Sequence, residues 1–209
     1  MAIVLNKKFL LGLTTIVYLL LTGCSTHVVV TGEYPPVLVQ PLDYNVGLVL
    51  GSSFTDYSFT REKDDQKIII TLGSSQTELF SQIFESMFTS MQRLQGKPQI
   101  TTNSMDLVVI PRVEKLQISM PDETSLNVFE VWIQYKLEIF DTNSALITEW
   151  SVSSYGRTQT RFLKSIESAL HQATNSALRD AGTQIVIGFN GIPKIRDWVK
   201  REMDSNNAR

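Results

Sequence analysis

Alternating apolar and polar side chains run the whole length of residues 128–140, and this stretch constrains the fold more than any other. A period of two is typical of a β-strand with one buried and one solvated face, and therefore of antiparallel pairing. The buried set is predicted to be Phe129, Val131, Ile133, Tyr135, Leu137 and Ile139, and the solvated set Glu130, Trp132, Gln134, Lys136 and Glu138.

Turn-forming residues follow at 141–144 (Asp-Thr-Asn-Ser) and predict a β-hairpin in which residues 145–155 form the returning strand. Trp132 and Trp150 are then expected to share the wetter face. Exposed tryptophans on a sheet can mark a partner-binding surface, and these two residues are the candidates for one. Packing on each other across the strands, or cover by a helix, are the alternatives.

A long helix is predicted to begin at a capping box, Ser75-Gln76-Thr77-Glu78, and to end before Gly96 and Pro98. Its apolar stripe indicates core packing, because a helix that covers a sheet needs such a stripe, although a lipid-binding face would have the same composition. The stripe comprises Leu79, Phe80, Ile83, Phe84, Met87, Phe88, Met91 and Leu94.

A second long helix is predicted over residues 161–181, and its alanine-rich second half should allow close approach to a neighbour. A short helix follows, with Pro193 in its first turn. Further strands are predicted at residues 46–51, 54–60, 67–72 and 106–110, the last continuing beyond Pro111. The expected fold class is α+β, with a mixed, mostly antiparallel sheet packed by two long helices and a short C-terminal helix.

The N-terminus carries a targeting pattern in which Lys7 and Lys8 precede an apolar run at residues 9–21. That run has the length of a signal-peptide core and is shorter than the roughly 20 residues of a membrane-spanning helix. The motif Leu21-Thr22-Gly23-Cys24 at its end resembles the lipobox of bacterial lipoproteins. The resemblance implies cleavage between Gly23 and Cys24 and lipidation of Cys24, with an uncleaved anchor or secretion after cleavage elsewhere as alternatives.

Cys24 is the one cysteine in the chain, so no intramolecular disulfide can form, whereas a thioether-linked lipid would occupy the thiol. The resemblance implies a diacylglyceryl group and an N-acyl chain, which supply the second membrane signal that stable anchoring requires. Ser25 after the cysteine implies sorting to the outer membrane, with the protein facing the periplasm.

Four segments are expected: a signal peptide (1–23), a lipidated N-terminus and tether (24–45), one α/β domain (46–204) and a frayed tail (205–209). The 186 residues that remain after cleavage suffice for one domain with a core. Valine-rich pieces within the tether predict that part of it lies on the domain or adds an edge strand.

No motif for catalysis, metal binding or a cofactor is evident, so the chain is expected to be a non-enzyme with no metal and no cofactor. His27 lies three residues from the expected lipid, and His171 lies on a helix beside its apolar stripe. Cleavage of the signal peptide takes the formal charge from −2 to −4. The sequence contains no cluster of basic residues, so nucleic-acid binding is not expected.

The order of elements between residues 46 and 189 resembles two groups of lipoproteins: the auxiliary lipoproteins of ABC-type lipid transport systems, and the curli secretion lipoprotein with its polysaccharide-export relatives. Lipid tethering without recognisable catalytic groups favours a non-catalytic accessory or assembly component of a transport, secretion or envelope machine, with an envelope protein as its partner. A periplasmic carrier of lipid or another hydrophobic ligand is the first alternative, and a hydrolase with a dispersed site is the second.

Overall fold

The computed structural model describes residues 25–94, 105–159 and 165–207. The signal peptide, the lipobox with Cys24 and the predicted helix stop at Gly96 and Pro98 lie outside these ranges. In chain order the elements are β1 (Ser25–Val29), β2 (Leu42–Val49), α1 (Ser52–Thr55), β3 (Ser58–Lys63), β4 (Gln66–Thr71), α2 (Gly73–Met87), β5 (Phe88–Leu94), β6 (Leu107–Ser119), β7 (Val128–Asp141), β8 (Leu146–Gln159), α3 (Ile166–Gly188) and α4 (Pro193–Asn207).

The described strands form two mixed sheets, and together with the helices they confirm the predicted α+β class. The large sheet has the order β5-β2-β6-β7-β8, with parallel pairing on either side of β2 and antiparallel pairing from β6 to β8. The small sheet has the order β1-β4-β3, in which β1 is parallel and β3 antiparallel to β4. The sequence did not indicate this division into two sheets.

The alternation in residues 128–140 is confirmed for the apolar set, which β7 buries on the face toward the helices, whereas Glu130 of the predicted solvated set is itself buried. Val131, Ile133, Tyr135, Leu137 and Ile139 are all at most 1% exposed. β6 runs through Pro111 as one strand, as predicted. Proline is tolerated there because β2 pairs with β6 only as far as Val109, so the missing N–H leaves no described ladder incomplete.

Helices α2 and α3 cover the inner face of the large sheet, and α3 passes very close to the sheet at Gly156. A β-carbon on Gly156 would lie 2.0 Å from the carbonyl oxygen of Ala173 and 2.4 Å from the nitrogen of Ala177. Both alanines are fully buried. The alanine-rich stripe therefore allows the close approach that the sequence predicted, and the helix continues past Gly182 to Gly188.

The predicted strand over residues 54–60 is wrong in its first half, where the chain forms the short helix α1 and the strand begins only at Ser58. Helix α1 buries Phe54, whose ring centroid lies 5.0 Å from that of Phe80 and 6.2 Å from that of Tyr135. Burial of this aromatic side chain among other rings outweighs the local β-propensity of the segment.

The predicted extension of the first helix to residue 94 is also wrong, because α2 ends at Met87 and β5 follows directly. Residues 88–94 pair in parallel with β2, as in Val46 with Met91. An apolar strand such as β2 would otherwise present unpaired backbone groups at the edge of the sheet. Satisfying that edge outweighs the helical spacing of the side chains.

The capping box predicted at Ser75 is absent, since α2 begins at Gly73 and shows no side-chain cap. The Ser75 hydroxyl instead donates a hydrogen bond of 2.7 Å to the carbonyl oxygen of Val30, inside the protein. Gly73 starts the helix where the backbone of Thr55 passes so closely that a β-carbon would lie 2.0 Å from its carbonyl oxygen.

The small sheet contains the first residues of the predicted tether. Ser25 pairs with Lys67 and Val29 with Thr71, and the Val28 side chain is fully buried. The expectation that part of the tether adds an edge strand is therefore confirmed. β2 begins at Leu42, before the predicted start of the domain.

Glu123 joins the small sheet to the turn that follows β6. Its carboxylate accepts hydrogen bonds from Arg61 on β3 (3.0 Å) and from Lys63 (2.5 Å). The Arg61 guanidinium contributes most, ahead of the Lys63 ammonium, to lowering the pKa of Glu123 from 4.5 to about 2. The ionised carboxylate therefore stabilises the fold above pH 4.5, and this contribution disappears as the pH falls toward 2.

Glu123→Gln is accordingly expected to lower the free energy of unfolding near neutral pH by about 1 kcal/mol, because solvent screens these partly exposed pairs. Urea unfolding from pH 7 to pH 2 should show the difference from wild type shrinking between pH 4.5 and 2. Glu85→Gln, an exposed change on α2, serves as the control and should leave the pH profile unaltered. A difference that persists at pH 2 would contradict the role given to the ionised carboxylate.

Candidate functional site

The segment between β1 and β2 lies along α3 and is held there by side chains of that helix. The backbone N–H of Thr31 donates to the imidazole Nε2 of His171 (3.2 Å). Asn175 donates from its amide nitrogen to the Thr31 carbonyl (2.8 Å) and accepts from the Tyr34 hydroxyl (3.1 Å). Within the described structure His171 therefore positions the segment, a role that the sequence did not predict.

An apolar groove of about 570 Å³ lies where this segment passes over α2 and α3. Gly182 forms part of its floor, and a β-carbon there would lie 2.9 Å from the Cδ1 of Ile83. Ile187 at the rim is 75% exposed, and the buried Oε1 of Gln82 has no hydrogen-bond partner among the described atoms. The aliphatic side chains that line the groove are Val37, Leu79, Ile83, Val186 and Ile187.

A second groove, of about 830 Å³, lies between α4 and the start of β2. Its aromatic centre is formed by Tyr44 and Trp198, whose ring centroids are 5.1 Å apart. Arg196, Lys200 and Glu202 add charge to its lining. Burial is the main cause that raises the pKa of the Tyr44 hydroxyl, followed by the charge of Asp106. The arrangement offers an amphipathic surface without a catalytic pair.

Trp132 and Trp150 lie on opposite faces of the large sheet, so the prediction that they share the wetter face is wrong. Trp132 pairs with Tyr155, while Trp150 pairs with the buried Leu137 and packs 6.3 Å from the ring of Phe189. The cause is a register shift between Ile139 and Phe140. A shift of one residue transfers every later side chain of the strand to the other face.

Trp132 is the exposed member of the predicted pair, with 37% of its surface accessible. Its ring lies 5.1 Å from that of Tyr155, whose hydroxyl donates to Glu130 (2.7 Å). Burial, and then this hydrogen bond, raise the pKa of the Tyr155 hydroxyl. Cross-strand packing accounts for the contact between Trp132 and Tyr155. The partner-binding role of Trp132 stays a prediction.

The two tryptophans should differ in their contribution to stability. Trp150→Ala is expected to cost about 2 kcal/mol of unfolding free energy, because it empties space between Phe189 and Gly188 at the sheet. Trp132→Ala is expected to cost less than about 1 kcal/mol, since its ring is partly solvated. Urea unfolding of the two variants measures the difference. Equal losses would contradict the opposite placement of the two rings.

Charged side chains on the outer face of the large sheet neutralise one another. Arg112 contacts Glu138 at 2.8 Å, and Lys136 contacts Glu149 at 3.0 Å and Glu114 at 3.4 Å. The Glu149 carboxylate, followed by Glu114, raises the pKa of Lys136. Such cross-strand pairs are ordinary on a solvated sheet face and do not by themselves form a site.

Buried polar groups form a second network that the sequence did not reveal. The Tyr135 hydroxyl donates to Oε1 of Gln76 (3.1 Å), and the amide nitrogen of Gln76 donates to the carbonyl oxygen of Phe54. Burial raises the pKa of Tyr135 well above 10, and the hydroxyls of Tyr34 and Tyr57 add to the effect. With no exposure to solvent and every polar group paired, this network is structural.

The described ranges contain no group of three or more histidine, cysteine or acidic residues that could hold a metal ion. His27 lies at an exposed position in β1 and His171 holds the Thr31 backbone, so the two are not brought together as a catalytic pair. Across residues 25–94, 105–159 and 165–207, none of the helices combines the length and apolarity needed to span a bilayer.

A scan against protein-family models and a search of the curated proteins both find no match to this chain. Among solved structures, a protein from Xanthomonas campestris described by the family model DUF330 is 11% identical, with a TM-score of 0.53. The match covers 87% of this chain and 98% of that one. At this identity the likeness establishes a shared fold.

Two further solved structures have lower TM-scores. A homolog of a neuraminyllactose-binding hemagglutinin from Helicobacter pylori is 12% identical, with a TM-score of 0.46 and coverage of 82% of this chain and 97% of that chain. A minor lipoprotein from Acinetobacter baumannii is 12% identical, with a TM-score of 0.38 and coverage of 71% and 94%.

Proposed function

We propose that this protein is a non-catalytic bacterial envelope lipoprotein, anchored through Cys24, that acts as an accessory or assembly component of a transport, secretion or cell-envelope machine. The observation that carries the proposal is the placement of β1, which begins at Ser25, directly after the lipobox cysteine. A folded body whose first described strand begins one residue after the expected attachment residue suits a membrane-fixed component.

The absence of recognisable chemistry in the described residues supports a binding role over catalysis. The grooves and exposed aromatic side chains offer contact surfaces, while the polar networks at Tyr135 and His171 are used to hold the fold together. We infer an outer-membrane location facing the periplasm from Ser25, and a protein partner in the envelope. Trp132 belongs to the surface expected to meet that partner.

Metabolic labelling with radioactive fatty acid tests the anchor. Wild type should incorporate label and fractionate with the outer membrane, whereas Cys24→Ser should lose both the label and the membrane association. Ser25→Thr, next to the attachment residue, serves as the control and should retain the label. Label that survives in Cys24→Ser would refute the attachment site and with it the proposed location.

Crosslinking in intact cells tests the accessory role. A photoreactive amino acid in place of Trp132 should yield a discrete crosslinked envelope protein, whereas the same group in place of Trp150, on the covered face, should yield none. Recovery of only the bulk lipoproteins of the envelope from both positions would count against a specific partner.

The groove between α2 and α3 favours a second candidate function, the carriage of an elongated apolar ligand with an acidic head group. Its volume of about 570 Å³ falls in the usual range of ligand sites. The Arg179 guanidinium at the groove has no ion pair within the described structure and is therefore available to an anionic head group. The negative charge of Glu78 also acts on Tyr34 at this groove, where it raises the pKa of the hydroxyl.

Binding of a fluorescent fatty acid to the purified full-length protein tests this candidate. Ile187→Glu should weaken binding because it places a charge in the groove lining. Leu146→Glu, a similarly exposed aliphatic position remote from the groove, should leave binding unchanged. Equal affinity in both variants would exclude the groove as the binding site.

A further inference from the structure

We propose that the end of the small sheet formed by Ser25 and the β3–β4 turn faces the lipid bilayer, and that the groove beside α4 opens at the opposite end of the molecule. The orientation rests on the proposed lipidation of Cys24. It goes further than anchoring, because it identifies which surface of the folded body meets the membrane and which remains open to other molecules.

A single peptide bond separates the proposed anchor at Cys24 from the first strand of the folded domain. Ser25 is already paired with Lys67 in the small sheet, and three residues later Val28 is fully buried. Consecutive Cα atoms are only about 3.8 Å apart, so a lipid on Cys24 must lie beside the Ser25 end of β1. A flexible tether would let the domain rotate freely above the membrane. A strand that is paired from Ser25 onward restricts that rotation.

The other end of the molecule is defined by the course of the chain after β1. The segment follows α3 from His171 toward its C-terminus, passing Asn175 and then Gly182, and reaches the groove at Tyr44 and Trp198. A rise of 1.5 Å per residue places Gly188 about 26 Å along the helix axis from His171. The groove beside α4, which includes Phe189, therefore lies at the far end of α3 from the contact between His171 and Thr31.

The antiparallel packing of α3 on β8 also indicates that the groove beside α4 and the small sheet lie at opposite ends of the molecule. Gly156 meets α3 at Ala173 and Ala177, whereas Trp150 meets its far end at Gly188. The Arg61–Glu123 bridge attaches the small sheet beyond the end of β6. The small sheet and the groove beside α4 thus occupy opposite ends of the large sheet.

Charge does not hold the small-sheet end against anionic lipids. Lys67 is paired with Glu62 at 2.8 Å, and Arg61 and Lys63 are both paired with Glu123. The turn between β3 and β4 adds two exposed acidic residues, Asp64 and Asp65. The covalent anchor, not electrostatic attraction, must therefore set the orientation, which should be insensitive to salt.

Site-specific fluorescence quenching tests the orientation in the full-length lipidated protein. The thioether would block Cys24, so Gln66→Cys or Asn190→Cys would supply the one free thiol for a fluorophore. Each labelled protein is reconstituted into phosphatidylethanolamine–phosphatidylglycerol vesicles that contain a lipid with a nitroxide on its head group. Quenching at residue 66 should be several-fold stronger than at residue 190, at low and at high salt.

Insertion of a long Gly-Ser spacer between Cys24 and Ser25 supplies the matched control and should reduce quenching at residue 66 to the level at residue 190. Equal quenching at the two positions without the spacer, or stronger quenching at residue 190, would overturn the orientation, and loss of the difference at high salt would overturn its covalent origin. A protein that does not float with the vesicles would instead refute lipidation of Cys24.

Discussion

Gly156→Ala should strongly destabilise the protein, because the added methyl group has no room between β8 and α3. The added β-carbon would lie 2.0 Å from the carbonyl oxygen of Ala173 and 2.4 Å from the nitrogen of Ala177. Both are backbone atoms within α3, so the helix itself would have to move off the sheet. We expect a loss above the roughly 1–3 kcal/mol that overpacking usually costs.

Urea unfolding followed by circular dichroism measures this loss as a lower midpoint at an unchanged slope. Gly191→Ala is the matched control, because no atom lies within 4 Å of the position that its β-carbon would occupy. If Gly156→Ala unfolds at the wild-type midpoint, the close approach of α3 to β8 is wrong. A variant that cannot be recovered in folded form while Gly191→Ala can would agree with the prediction.

Gln76→Leu is expected to have the second largest effect, about 3 kcal/mol. Gln76 is fully buried and connects the hydroxyl of Tyr135 to the carbonyl oxygen of Phe54. Leucine has a similar size but pairs with neither group. Each buried polar group left without a partner costs about 1–3 kcal/mol, which exceeds the net gain of the original hydrogen bonds.

A double-mutant cycle separates this effect from packing. Tyr135→Phe alone leaves one acceptor of Gln76 unpaired, whereas Tyr135→Phe combined with Gln76→Leu removes the orphaned hydroxyl altogether. The double variant should therefore lose less stability than the sum of the single variants. Tyr57→Phe, whose hydroxyl makes no hydrogen bond in the described structure, is the control and should be near neutral. Additive losses would contradict a shared network.

Local patterns were most informative where one face of an element is buried and the other solvated. The alternation around Tyr135 predicted the strand β7 and its buried apolar face, because the side chains of a half-buried strand must alternate between two environments. The alanine stripe around Ala173 predicted close helix packing for a similar reason. The same reasoning failed at residues 88–94, where apolar spacing fits a helix but the unpaired edge of β2 required a strand.

The candidate surfaces were harder to predict, because each combines residues distant in the sequence. His171 meets Thr31 across 140 positions, and Tyr34 meets Asn175 across 141. No local pattern indicates such contacts. A helix-surface histidine and a proline-containing segment each have an ordinary composition, and only their contact reveals that the segment is fixed to the body.

The sequence by itself determined the α+β class, the strand β7 and the helix-covered core, since each follows from the periodicity with which apolar side chains must be buried. It also supplied the lipobox at Cys24, from which the expectation of anchoring derives. The tertiary structure decided which surfaces face solvent. A register shift of one residue near Phe140 places Trp150 under α3 and leaves Trp132 outside, because side chains in a strand alternate and a single extra residue exchanges the two faces.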